Sequence, residues 1–380
     1  MKTILQEKTL ILPIFLAAIA YFLEHALAGQ SRLVLVLAAA VLVGGILIAS
    51  LRVAHHAEVL AHKVGDPYGT MILTLSAVAV EVIILAIMMQ GAPSPTLARD
   101  TIYAAVMLDI NGILGLAALL GGLRHGEQPY NDDSGKTYGV MILTAMGISM
   151  IVPEFVPDEK WHYYSVFTIF AMLALYGLFL RMQVGAHSYF FSYSYPRGAN
   201  AANSNSSAAK STSGKAEDEE GPHEAEGQSD PVAVSVTVIL LGVVLIGILA
   251  EFMSAFLSEG LAGTGAPPAI MAILVAAISA APEIMTALRA ALHNRMQATV
   301  NIALGASLST VILTVPVMEG IALYTGQPFI MAMSPVQTVM VAITLIAAAI
   351  NLNDGETNAI EGMTHFILFA TFIMLTALGL

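Results

Sequence analysis

The sequence predicts an all-α polytopic membrane protein of about eleven transmembrane helices, with one extra N-terminal helix ahead of an inverted repeat of five plus five. Three observations predict it. The chain is 57% hydrophobic and only 11% charged, and its mean hydropathy is +0.77, far from the composition of a soluble domain. Apolar windows of about 20 residues, enough to cross roughly 30 Å of hydrocarbon, recur eleven times. A single long polar stretch splits the last ten windows into two sets of five.

The windows fall near 9–28, 32–52, 68–90, 100–122, 138–157 and 162–182, then near 232–257, 267–290, 297–320, 331–351 and 359–379. They divide the chain into an N-terminal extra helix at 1–31, a first five-helix repeat at 32–184, a linker at 185–230 and a second five-helix repeat at 231–380. An odd number of crossings per half makes the two halves enter the membrane from opposite sides. The linker has almost no large apolar residues between Gly198 and Gly227, so it cannot bury enough surface to fold alone. It also holds Glu217, Asp218, Glu219, Glu220, Glu224, Glu226 and Asp230, 7 of the 27 acids, so the net charge of −12 is largely local. Cysteine is absent, which excludes disulfides, thiolate metal sites and cysteine nucleophiles.

With the N-terminus in the cytoplasm, 12 Lys and Arg fall in cytoplasmic segments against Arg32, Arg99 and Lys160 outside. This bias places the N-terminus and the acidic linker on the cytoplasmic side. Trp161, Tyr163 and Tyr164 stand where an outer interfacial belt favours amphipathic rings. No signal peptide is expected, because the first apolar stretch lacks a small-residue cleavage site and a second span follows at once.

The stretch 276–296 reads A-A-I-S-A-A-P-E-I-M-T-A-L-R-A-A-L-H-N-R-M and predicts one apolar helix with Glu283 deep inside it, directly after Pro282. A carboxylate at the centre of a bilayer helix costs ~2.5–3.5 kcal/mol on insertion scales, so it faces a protein interior or a watery cavity. Pro282 has no N–H, so the Ile278 carbonyl is expected to lose its partner. That oxygen, the Glu283 carboxylate and the Ser279 hydroxyl would suit a hard cation or a proton. In the first half, L-T-L-S-A-V-A-V-E-V-I-I-L carries Glu81 at the matching place. If the halves pack about a pseudo-two-fold axis, the two carboxylates converge near the midplane. A facing pair in a dry site repels, and so prefers a proton or a cation to standing bare. The structural alternative is that each glutamate satisfies a neighbouring Ser or Asn and merely packs its helix.

Secondary candidates follow from position. Thr74 and Ser279 fall on the helical faces of Glu81 and Glu283, although membrane hydroxyls commonly bond a carbonyl one turn back. Asn111, Asn301 and Ser307 could complete a coordination shell with neutral oxygens, or could act as interhelical glue. Asp109, also near a midspan, is a candidate proton relay with no counterpart in the other half. Glu24, Glu154, Glu251 and Glu319 lie nearer helix ends and are expected to snorkel to water. In R-V-A-H-H-A-E-V-L-A-H-K, His55, Glu58 and His62 share a face and His56 adjoins it; the segment reads as a solvated interfacial helix, or as a regulatory metal or pH-sensing site.

Together these stretches resemble the calcium/cation antiporter superfamily, and within it the ChaA-type sodium (potassium, calcium)/proton antiporters of bacteria. The resemblance rests on H-A-E-V-L-A-H-K-V-G-D-P-Y-G-T-M-I-L-T-L-S at 56–76 with E-V at 81–82, R-D-T-I-Y at 99–103, A-P-E-I-M-T-A-L-R-A-A-L-H-N-R-M-Q at 281–297 and G-A-S-L-S-T-V-I-L-T-V-P-V at 305–317. It implies a multi-pass protein of the bacterial inner membrane that works by alternating access, with Glu81 and Glu283 as a shared cation/proton site and the ligands of a transported metal ion. Broader calcium/proton exchangers show G-N-x-x-E at each key glutamate, whereas this chain reads A-V-A-V-E and S-A-A-P-E. Two amide oxygens are thereby absent, and Ca2+, which takes six to eight oxygen ligands, stands beside Na+ and K+ as a possible substrate.

The expected function is therefore exchange of cytoplasmic Ca2+ and/or Na+ (K+) for protons, with a passive cation channel lacking proton coupling as the alternative. An enzyme is not expected, since neither H-E-x-x-H nor G-x-S-x-G occurs. No cofactor is expected beyond the transported ions. The expected partners are the lipid bilayer, inorganic cations and protons, with no nucleic acid; an oligomer is compatible with the chain.

Overall fold

The computed structural model describes residues 8–27, 29–64, 68–91, 94–184, 232–265, 267, 269–326 and 329–380. The expected linker falls outside the described residues, as do the side chains of Glu58, His62 and Thr74. Before the linker run α1 (Lys8–Leu27), α2 (Arg32–Val64), α3 (Tyr68–Gly91), α4 (Leu97–His125), α5 (Asp132–Phe155) and α6 (Trp161–Val184). After it come α7 (Val232–Leu261), α8 (Ala269–Ser279), α9 (Ala281–Leu292), α10 (Met296–Thr325), α11 (Pro335–Asn351) and α12 (Ala359–Ala377). Among the described residues, seven helices are long and apolar enough to cross a membrane, or eight if α8 and α9 form one bent span. These helices present large apolar side chains outward, with Leu33 at 69% and Phe170 at 68% exposure. Patches of that size are unstable in water and natural in lipid.

Capping explains where several helices begin. Asn131 accepts the Asp133 N–H ahead of α5 at 3.1 Å, and Asp132 and Asp133 sit in the first turn, where the helix dipole favours acids. Hydropathy alone starts this helix six residues too late, because its first turn is polar. Ser334 and Gln337 form a reciprocal capping box before α11, with Pro335 in the first turn. Asn358 caps α12 by accepting the Ile360 and Glu361 N–H groups.

The apolar interior forms two clusters. One gathers α1, α2, α3, α7 and α8; the other gathers α4, α5, α6 and α9 to α12. Helices α3, α4, α8 and α10 contribute to both, so a residue between α3 and α10 lies on the seam. Main-chain bonds tie the halves together at two connections. Gln128–Pro129, after α4, pairs antiparallel with Glu356–Thr357, before α12. The segment between α10 and α11 donates from Ile330 to the Pro95 carbonyl at 2.8 Å and from Met333 to the Met150 carbonyl at 2.9 Å.

Three expectations need correction here. The segment at 53–63 is no separate helix; it is the end of α2, and its solvated reading fails at His56, which is buried against α7 with Nδ1 3.4 Å from the Ser235 hydroxyl. Glu319 does not snorkel. It is 1% exposed in α10, where Thr168 of α6 donates to its Oε2 and makes a route to water unnecessary. The single helix expected over 276–296 is broken at Ala280, and the two arms meet at 57°. Pro282 occupies the first turn of the second arm, where its missing N–H costs no helical bond.

Candidate functional site

The break between α8 and α9 decides the environment of Glu283. It lies in the first turn of α9, where free N–H groups and the helix dipole stabilise a carboxylate, and its own backbone N–H bonds the side chain. Its Oε2 is buried with no hydrogen-bond partner among the described residues. Glu81, on α3 at the seam between the clusters, is 2% exposed. Thr310 donates to its Oε2 at 3.0 Å and Thr314 at 3.5 Å, whereas Oε1 is buried without a partner among the described residues. A buried carboxylate oxygen lacking a donor is costly, and a proton or a cation relieves that cost.

Asp109 joins them from α4. It is 2% exposed, accepts from Ser307 at 3.2 Å on Oδ2, and lies within electrostatic reach of both Glu283 and Glu81, which themselves feel one another. Ser307, Thr310 and Thr314 follow at helical spacing along one face of α10. That face stitches the α3 carboxylate to the α4 carboxylate. Among the described residues, no three Asp, Glu or His side chains close on one point as a metal site. The three carboxylates share a region rather than a single coordination sphere.

Both polar-centred helices leave the regular α-helix here. In α4, Met107–Leu114 is π-helical and carries Asp109; in α10, Thr310–Thr314 is π-helical and carries both threonines that reach Glu81. The α10 bulge has a cause in Pro316, whose missing N–H frees a carbonyl in the preceding turn. Wider turns of this kind re-aim side chains and recur at functional sites.

The other candidates divide. Ser307 belongs to the cluster. Ser279 turns back on its own helix, donating to the Val275 and Ala276 carbonyls at 3.1 and 3.0 Å, as membrane hydroxyls commonly do. Asn111, fully buried, points to the far side of α4, where its Nδ2 donates to Thr344 at 2.7 Å and its Oδ1 accepts from the His365 Nδ1 at 2.8 Å. It joins α4 to α11 and α12. Asn301 accepts from Gln297 at 2.9 Å near the start of α10. Sequence reasoning passed over Thr310 and Thr314, although the spacing of S-L-S-T-V-I-L-T already aligned both with Ser307 on one face.

A family model described as sodium/calcium exchanger protein matches residues 33–185 and 234–378. The sodium-potassium/proton antiporter ChaA of Escherichia coli (strain K12) is 30% identical over 377 residues, covering 98% of this chain and 97% of that protein. A putative ionic transporter, y4hA, of Sinorhizobium fredii is 29% identical over 378 residues, covering 97% of this chain and 95% of its own length. Solved structures of YfkE, a Ca2+/H+ antiporter protein, superpose with TM-scores of 0.73 and 0.71 at 15% identity, covering 97% of this chain and 99% and 98% of theirs. At that identity the likeness speaks for the fold.

Proposed function

Because the chain belongs to the sodium/calcium exchanger protein family, we propose that it is a secondary transporter exchanging cytoplasmic Na+, K+ or Ca2+ for protons by alternating access, with Glu81 and Glu283 as the shared site. The observation that carries this reading is the pair of buried carboxylate oxygens, Glu81 Oε1 and Glu283 Oε2, that no donor among the described residues satisfies. Each needs a proton or a cation, and the two compete for the same oxygens. Exchange follows if the protein changes sides only when those oxygens are occupied. The matched π-helical turns in α4 and α10, and the broken pair α8 and α9, support two oppositely inserted halves of the kind that build such transporters around discontinuous helices.

Asp109 fits a supporting role. It bonds Ser307 and adds negative field to the region without joining a common coordination sphere. Na+ and K+ fit this site better than Ca2+, because the two glutamates supply at most four oxygens while the Ser307, Thr310 and Thr314 hydroxyls are engaged as donors to carboxylates, short of calcium's six to eight. The antiporter ChaA, whose name specifies sodium and potassium, supports the same preference.

The test is cation-induced proton release from everted vesicles, comparing Na+, K+ and Ca2+. Coupled release on Na+ or K+ addition is the expected outcome, and cation flux that survives unchanged after collapse of the pH gradient would favour a channel. Lowering the pH on the side where the cation enters should raise its half-saturating concentration, since protonated carboxylates cannot ligate it. A half-saturating concentration that is flat with pH contradicts the shared site. Thr310→Val removes the shorter of the two hydroxyl bonds to Glu81. Losing a bond to a buried charge costs about 1–3 kcal/mol, so apparent cation affinity should change by roughly 5- to 100-fold, read from the same vesicle titration.

A further inference from the structure

The R-D of R-D-T-I-Y lies in the first turn of α4, outside the glutamate pair. Asp100 is 7% exposed, and its Oδ1 takes three donors: Nε and Nη2 of Arg99 at 2.9 and 2.7 Å, and Nε2 of Gln337 at 2.9 Å. Among the described residues no donor reaches Oδ2. Asp100 lines a cavity of about 240 Å³ at the end of the bundle where α4 and α8 begin, with Ser254 and Ser258 of α7 across from it and Met88 and Met271 in its wall. Ser254 and Ser258 are one turn apart, so they share a face. A hydroxyl on a membrane helix usually bonds the carbonyl four residues back, as Thr237 does lower on the same helix at 2.7 Å. Neither serine makes a hydrogen bond among the described residues, and Ser254 is only 5% exposed. A serine 95% buried as a residue, its hydroxyl without a partner among the described residues and opening on a cavity beside a carboxylate oxygen also left open, is an arrangement that suits a ligand.

We propose that this cavity is an antechamber that stages the transported inorganic cation, with Asp100 Oδ2 as its charged ligand and the Ser254 and Ser258 hydroxyls as neutral ones. The proposal rests on the exchange reading above and extends it to residues outside the glutamate pair. The chemistry favours a hard cation with part of its water shell. Three oxygens are supplied, and at ~30 Å³ per water the space holds about eight waters. Arg99 offsets most of the Asp100 charge, which keeps binding weak, as a stop on a conduction route requires. Asp100 stands nine residues before Asp109 on α4, about 13 Å along the helix axis, so a cation held there is a short step from the carboxylates.

Asp100→Asn and Ser254→Ala should each raise the half-saturating Na+ concentration, at least five-fold and two- to three-fold respectively, when Na+ is offered on the antechamber face. From the opposite face the change should stay under two-fold. Everted and right-side-out vesicles present the two faces. The Ser258→Cys variant, single in a chain without cysteine, identifies which face is which by its reaction with a membrane-impermeant thiosulfonate. Na+ should slow that reaction at least three-fold. Equal shifts from both faces, as a purely structural role would give, or no shift at all, overturn the proposal. Labelling of Ser258→Cys that Na+ does not slow also overturns it, and does so even if Asp100→Asn fails to fold. Failure of the underlying exchange reading is recognised separately, by wild-type Na+ flux that survives collapse of the pH gradient unchanged.

Discussion

Glu283→Gln should reduce cation-induced proton release at least ~100-fold, and Glu81→Gln should do the same, because removing the charge from a buried ligand pair costs about 3 kcal/mol or more. Glutamine preserves the shape of the side chain while removing both its charge and its exchangeable proton. The two variants should fail for distinguishable reasons. Glu81 is held by Thr310 and Thr314, so glutamine there keeps hydroxyl partners and the helix should remain in place. Glu283 is held by the first turn of α9, where a neutral amide loses the favourable interaction with the helix N-terminus, worth roughly 0.3–1 kcal/mol. Glu283→Gln should therefore also lose a little thermal stability in detergent, whereas Glu81→Gln should not. Both measurements use the same purified variants. Full exchange by both would remove the two glutamates from the transport site.

Gly362→Val should be the most damaging single change away from the carboxylates. A Cβ at Gly362 would run into the Leu119 backbone N–H, one at Gly122 into the Ala359 backbone, and one at Gly115 would come within 2.8 Å of the His365 Cβ. Helices α4 and α12 thus touch backbone to backbone through small residues, the close approach that membrane helices use in place of a hydrophobic driving force. Backbone cannot yield as a side-chain tip can, so the cost should reach roughly 3 kcal/mol or more. The detergent unfolding midpoint should fall by several degrees. Activity should fall with it, because the displaced helix carries Asp109 and, on its other face, the Asn111 bonds to Thr344 and His365. Wild-type stability in Gly362→Val would show that α4 and α12 do not pack this closely.

Much of this molecule was legible residue by residue. Glu81, Glu283 and Asp109 stand out because a lone acid in an apolar run is conspicuous without any knowledge of its neighbours, and Ser307 because it is a neutral oxygen in a polar-centred helix. What escaped was partnership. Thr310 drew no notice in the sequence, yet its hydroxyl lies 3.0 Å from Glu81, a residue 229 positions away. Asn111 reads in the sequence equally as a cation ligand or as interhelical glue, and its partner His365, 254 positions away on the far side of α4, decides for the glue. Glu319 looked free to reach water, and Thr168 made that unnecessary. Pro282 marked a disturbance in the helix correctly, but a proline can kink, free a carbonyl or start a new helix; the 57° break at Ala280 was a choice made by packing.

By itself the sequence determined that this is a helical, lipid-solvated chain with a few acids placed where water does not reach, because hydropathy and the rarity of charge are properties of short windows. The tertiary structure alone decided that α8 and α9 part at Ala280, that one face of α10 serves two carboxylates, and that α12 lies on α4 without room for a side chain. Those outcomes depend on helices far apart in the chain arriving at the same place, and no local pattern of residues contains that information.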